Sequence, residues 1–204
     1  MNDKEKTLIF EEVFQKEIDA LKEAKQNLNS NDILAAAELI NGCHGKVLFI
    51  GLGKSGYIGE KISASFSSMG IPSFFIHATE LFHGDFGRVE DDDVLVLLSH
   101  SGETVEVVSA GNNLKQRGNK IISITSKKTS SLSKLSDVPL NYEVSVEADH
   151  LNKAPTNSST ITLVIGDALM VLVSKLREYS ATDFLKNHPG GSLGKAKDIK
   201  KWVY

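Results

Sequence analysis

The sequence has 204 residues, 41% of them hydrophobic and 24% charged, with a formal net charge of -3. That composition supports a globular core and excludes extended disorder, and the interspersed charges exclude a dedicated nucleic-acid surface. The single cysteine, Cys43, excludes an internal disulfide framework and fits a reducing, cytoplasmic compartment.

The first residues, MNDKEKTLIF, are charged and lead into no apolar run, so no secretion signal is expected. Leu8, Val13, Ile18, Leu21 and Leu28, set among charges, predict an amphipathic helix over 4–28. Asn31 or Ser30 caps a second helix over 32–41, ended by Gly42. The period then changes. Residues 46–50 form a short apolar run that stops at Gly51, the pattern of a buried parallel strand. A helix over 56–69 closed by Gly70, a strand over 72–76 and a very apolar strand over 93–98 follow. Next come a helix over 104–117 stopped by Gly118, a strand over 120–125, a short helix near 131–135 and a fifth strand around 138–146. A long helix over 156–177 closes the series. Its apolar stretch from Thr160 to Leu176 is interrupted by Gly166 and Asp167 and is shorter than a span of about 20 residues. It reads as a buried helix that also meets a second subunit, with no membrane.

Alternating strands and helices require parallel strands with right-handed crossovers. The expected fold is therefore α/β, a three-layer α/β/α sandwich with a five-stranded parallel sheet and extra N-terminal helices. Residues 1–42 are expected to pack on the core or on a partner subunit, and residues 43–204 to form the α/β domain. The chain stops at Tyr204, soon after its last motif, so no second domain is expected; Trp202 and Tyr204 read as tail residues packing on the body.

Ligands of open parallel sheets bind at the carboxyl ends of the strands. Three such places carry unusual residues. After the first strand stands Gly51-Leu-Gly-Lys-Ser-Gly56. It matches a dinucleotide pattern only weakly, and Leu48 stands where a Walker loop needs glycine. What remains is a tight turn, free helix N–H groups, the Lys54 charge and the Ser55 hydroxyl. After the third strand, Ser99-His-Ser-Gly-Glu-Thr104 brings three hydroxyls to a helix start, where one suffices for a cap. That is a phosphate cradle without arginine. The third place joins Glu147, the run Ala154-Pro-Thr-Asn-Ser-Ser-Thr160 and His188-Pro-Gly-Gly191. His77, His83 and Asp85 follow the second strand. A metal site there is conceivable from the residue types, but a polar site or interface role for His83 is preferred, and no metal is expected.

With these motifs in order, the chain resembles the SIS-domain (sugar isomerase) arabinose-5-phosphate isomerases over roughly residues 30–195. The likeness rests on both glycine turns, Phe74-Phe-Ile-His77, His83-Gly-Asp85, Ala154-Pro-Thr156, Gly166-Asp-Ala-Leu169 and His188-Pro-Gly-Gly-Ser-Leu-Gly194. It implies a homotetramer, or a dimer, with active sites at subunit interfaces. It implies that Ser55, Ser99, Ser101 and Thr104 hold a sugar phosphate, and that Lys54, Glu106, Glu147 and His188 match catalytic positions. Gly53, His83, His100 and Thr156 complete the expected substrate-binding set. Many relatives continue into cystathionine-β-synthase modules, which this chain does not show. Relatives often carry a cysteine-containing segment where this chain has Ala148-Asp-His-Leu-Asn-Lys153.

The reaction expected is interconversion of an aldose and a ketose phosphate through an enediol, with D-arabinose 5-phosphate and D-ribulose 5-phosphate as the pair. It needs a base at C1/C2 and a cation or donor near the developing oxyanion. Glu147 is the leading base and Glu106 the second candidate; Glu106 in a helix's first turn also suits the dipole alone. His188 opens the ring or shuttles protons, and Lys54 stabilises negative charge. No cofactor is called for. Another pentose or hexose phosphate, a non-catalytic sugar-phosphate sensor and a dinucleotide-binding oxidoreductase are the alternatives. A sensor needs only the cradle, so Lys54, Glu147 and His188 together favour an enzyme.

Overall fold

The computed structural model describes residues 1–190. Gly191, Ser192, Leu193 and Gly194 of the last motif, and the tail residues Trp202 and Tyr204, lie outside the described residues. Two N-terminal helices, α1 (Asp3–Asn27) and α2 (Ser30–Asn41), precede β1 (Val47–Gly51) and α3 (Gly53–Ser68). Then come β2 (Ser73–His77), α4 (Ala78–Leu81), a 3-10 turn (Asp85–Arg88), β3 (Val94–Leu98) and α5 (Val105–Gln116). The chain continues through β4 (Lys120–Thr125), α6 (Ser131–Leu135), β5 (Val138–Asn141), α7 (Asn157–Leu176) and α8 (Ala181–Asn187).

All strands are parallel, in the order β2-β1-β3-β4-β5. Side chains alternate along each strand, so each face makes its own core. Val47, Phe49, Val94, Val96 and Leu98 face Ile62 and Phe66 of α3, Ile161, Ile165, Leu169 and Val173 of α7, and the alanines of α1 and α2. Leu48, Ile50, Leu95 and Leu97 face α4, α5 and α6 through Leu81, Val107, Ala110, Leu114 and Leu132. This is the expected three-layer sandwich with its five-stranded parallel sheet.

Several expectations need correction. The cap of α2 is Asn29, whose Oδ1 accepts from the Asn31 amide at 3.0 Å; Ser30 is already helical. Helix α3 starts at Gly53 rather than 56, so Lys54 and Ser55 lie in its first turn. Strand β5 stops at Asn141 instead of running to 146. Its neighbour β4 ends at Thr125, the register partner of Asn141, and nothing remains beyond it to pair with. The short helix α4, the 3-10 turn and α8 were not expected. Helix α7 is long and apolar enough to cross a membrane by length and composition alone. One face is built into the sheet core and Asp167 is paired with Lys61 at 2.6 Å, while Val164 and Val171 are exposed. The expectation of cover on most sides is therefore not met within one copy of the chain.

Candidate active site

The sheet order reverses between β1 and β3, because β1 is followed by β2 on one side and β3 lies on the other. A crevice opens at the carboxyl end of such a switch point. The two glycine turns leave from these two strands and so stand side by side.

At the first turn, Gly53 has a φ of 57°, a left-handed conformation open to glycine. Leu52 is the helix cap and provides no side-chain hydrogen bond, which leaves the first amides of α3 free for an anion. Lys54 is exposed and Ser55 half-buried beside them.

The second turn is tighter. Gly102 has a φ of 68°, and a Cβ there would overlap the Ser130 hydroxyl. Ser99 is buried; its Oγ accepts from the Gly102 amide at 3.1 Å and shares a 2.8 Å hydrogen bond with Thr104 Oγ1. Ser101 Oγ accepts from the Glu103 amide at 3.2 Å. Glu103 in turn accepts from the Ser131 amide, tying the turn to α6. Thus Ser99 mainly holds the turn in shape, while half-buried Ser101 and Thr104 remain at its surface. Thr104 caps α5 without a side-chain bond to it, so the amides of α5 also point out unpaired. Glu106 sits half-buried in the first turn of α5.

Glu147 occupies the start of α7. Its Oε2 accepts from the Thr156 amide at 2.9 Å, the Thr156 hydroxyl at 3.1 Å and the Ser158 amide at 3.2 Å. Its Oε1 accepts from the Ser158 hydroxyl. Burial pushes this carboxyl up, but the Ser158 and Thr156 donors outweigh burial and hold it below the usual carboxylate range. The carboxylate therefore caps α7 from nine residues upstream and stays ionised at its positive end. Thr156 also accepts from the Ala148 amide at 2.7 Å, which closes the loop between Glu147 and the helix.

His100 projects from the second turn toward this group. Its Nδ1 lies 2.9 Å from the hydroxyl of Tyr142, a fully buried residue just past β5. Burial pushes the Tyr142 phenol up to about 12. Burial of the inner edge of the His100 ring holds its pKa below the ordinary histidine value; Glu147 opposes this and Lys127 adds to it. Tyr142 was not among the expected site residues, and Ser158 was named only within the polar run leading into α7. The tyrosine is hidden in the sequence because the apolar alternation of β5 continues to Val146, which makes it one more strand residue.

His188 is elsewhere. Helix α7 runs back along the sheet, and Arg177 at its end donates to the Ile40 and Asn41 carbonyls, just before β1 begins. Tyr179 donates to Ser68 at the end of α3, and Asn187 donates to Tyr179 at 2.8 Å. His188 follows directly, its Nδ1 2.8 Å from the Phe184 carbonyl and its ring stacked on Phe184 at 3.9 Å. It lies at the amino end of the strands, away from the two turns of its own chain. His83 is exposed between α4 and the 3-10 turn, and Asp85 is paired with Arg88 at 3.1 Å. Among the described residues no three His, Cys, Asp or Glu side chains gather as a metal site. Surface cavities of about 230 and 160 Å³ are lined by Lys46, Phe74 and Arg88 and by Lys16, Glu23 and Asn157; neither includes a residue of the two turns.

Fold and site together define an α/β protein with two helix starts, both free of side-chain caps, side by side at the switch point of its parallel sheet. The chain belongs to the SIS-domain family, whose model matches residues 39–172. It is 44% identical over 176 residues to the arabinose 5-phosphate isomerase KpsF of Escherichia coli O6:H1, covering 86% of this chain and 54% of that protein. It is 44% identical over 170 residues to the arabinose 5-phosphate isomerase KdsD of Pseudomonas aeruginosa, covering 83% and 52%. The chain thus spans about half the length of these curated relatives. The solved structure of Escherichia coli CFT073 c3406 in complex with arabinose 5-phosphate superimposes with a TM-score of 0.88 at 40% identity, covering 93% of this chain and all of that one.

Proposed function

We propose that the chain is an aldose–ketose isomerase that interconverts D-arabinose 5-phosphate and D-ribulose 5-phosphate through an enediol intermediate. One observation carries the reading: at the switch point two helix starts without side-chain caps stand side by side, Lys54 lies in the first turn of one of them, and Glu147 is held as a carboxylate at the start of α7. The relatives and the sugar-phosphate complex named above have the matching chemistry in their names.

The amides of α3 and α5, with Ser55, Ser101 and Thr104, take the dianionic phosphate. Oε1 of Glu147 receives only the Ser158 hydroxyl, so a lone pair remains to take the proton from C2. The negative charge that develops on O1 is balanced by Lys54. Glu106 is the second carboxylate of the crevice. His188 serves the site of a neighbouring copy, where it opens the cyclic sugar. Residues 1–42 and the exposed face of α7 are the surfaces that bring the copies together, as a dimer or homotetramer in the cytoplasm. Nothing in this scheme calls for a metal or a redox cofactor.

The test supplies a panel of pentose and hexose phosphates in deuterated water and follows exchange at C2 by NMR. Exchange and turnover with the arabinose and ribulose phosphates are expected. No exchange with any of them overturns the reading.

A further inference from the structure

Glu147 begins a loop that the core barely touches. Of residues 147–155 only Ala148 is buried, so packing fixes the loop at one point and its own hydrogen bonds fix the rest. Two side chains do this. The Asp149 carboxylate accepts from the amides of Leu151 at 2.9 Å, Lys153 at 2.8 Å and Ala154 at 2.9 Å. The Asn152 amide donates to the Asp149 carbonyl at 3.1 Å, which closes a tight turn. In that turn Asn152 has a φ of 53°, in the left-handed region that asparagine enters more readily than most side chains. Its Oδ1 accepts from the backbone amide of Glu147 at 2.7 Å. The next amide, that of Ala148, donates to the Thr156 hydroxyl at 2.7 Å. The amides on both sides of the Glu147 Cα are therefore held. Thr156 and Ser158 hold the carboxylate on α7, and Asn152 takes no part in that cap. It holds the backbone from which the carboxylate extends.

We propose that Asn152, presented by the turn that Asp149 builds, is a positioning residue for proton transfer at Glu147. The assignment rests on the aldose–ketose reading above. In that reading the phosphate is fixed by turns that leave β1 and β3, whereas the base stands on a loop that follows β5. The distance between C2 and Oε1 then depends on how firmly this loop is held. Misplacement by about 1 Å costs roughly 100-fold in rate, so a base on an exposed loop needs its backbone pinned. The bond from the Glu147 amide to Asn152 is such a pin, and no group of the two turns shares it. Removing it leaves the phosphate cradle as it is. The loss therefore falls on the proton-transfer step and not on binding.

The experiment compares wild type, Asn152→Gly and Asn152→Asp with D-arabinose 5-phosphate in deuterated water. Glycine takes the left-handed backbone freely, so Asn152→Gly removes the acceptor without straining the turn. Its kcat is expected to fall about tenfold, part of the loss that a full 1 Å misplacement brings, and C2 exchange is expected to fall in parallel. KM and the affinity for inorganic phosphate are expected to stay near the wild-type values. Aspartate also enters the left-handed region and keeps an Oδ oxygen for the Glu147 amide, so Asn152→Asp is expected to recover most of kcat. An unchanged kcat in Asn152→Gly, a loss that Asn152→Asp does not recover, or a loss carried by KM or phosphate affinity overturns the assignment. A wild type that neither exchanges nor isomerises any sugar phosphate overturns the proposed function, and the assignment falls with it.

Discussion

Glu147 shows how one side chain serves structure and chemistry together. Four hydrogen bonds from Thr156 and Ser158 reach its two oxygens, so it is the cap that α7 lacks at Thr156. In Glu147→Gln the side-chain amide turns donors toward donors. We expect a loss of about 1–2 kcal/mol, read by urea unfolding, the usual range for a lost cap or charge-assisted bond. C2 proton exchange should vanish while inorganic phosphate binds nearly as before. The pH dependence follows from the direction of the shift. Burial raises this carboxyl, the Ser158 and Thr156 donors lower it more, and the folded value ends below the unfolded one of about 4.3. Its stabilisation is full above the unfolded value and is lost as pH falls through the folded one. Wild type should therefore lose more stability than Glu147→Gln on acidification below about pH 4, measured as unfolding free energy against pH. An equal acid loss in both would show that the carboxylate does not hold the helix start.

At the scale of elements, α7 crosses α3 closely at Gly166. A Cβ at Gly166 would lie 2.5 Å from Cδ1 and 2.7 Å from Cγ1 of Ile62, which is fully buried. Gly166→Ala is expected to destabilise the protein by about 1–3 kcal/mol, since a β-branched neighbour in a packed core has little room to yield. Combining it with Ile62→Val should recover part of the loss in chemical denaturation; additive losses would place the strain elsewhere. Most of this frame was legible in the sequence. Short apolar runs ending at Gly51, Leu98 and Thr125 announce parallel strands because both faces of each are covered. The end of β5 was not legible, because Val144 and Val146 continue the apolar alternation after the partner strand has stopped. Helix α8, with its Ser180–Asp183 capping box, is only seven residues long and offers too little period to read. The two turns and Glu147 were recognisable by residue type. Tyr142 was not, since its contact with His100 joins distant segments. The sequence also placed His188 beside Glu147 in function, and only the path of α7 shows that they occupy opposite sheet edges.

That separation sets a requirement on the whole molecule. If His188 acts on sugar held by the two turns, it must come from another copy, and copies need surfaces to meet on. The first twelve residues of the chain are all exposed, including Leu8, Ile9 and Phe10, and Phe14 packs against Phe10 with ring centroids 4.8 Å apart. Val164 and Val171 on α7 add a second uncovered apolar face. A shared site makes a quantitative demand that a self-contained site does not. Glu147→Gln and His188→Ala should each be nearly inactive alone. In a mixed two-fold dimer, one crevice combines the intact Glu147 of one chain with the intact His188 of the other, and the second crevice carries both changes. Equal amounts, unfolded and refolded together, pair at random, so half the dimers are mixed and half their sites are whole. The expected recovery is about a quarter of wild-type activity. Mixing without exchange of subunits should recover nothing, which separates restored sites from residual activity. A refolded mixture as inactive as its parents would show that His188 does not act in the crevice of a neighbouring copy.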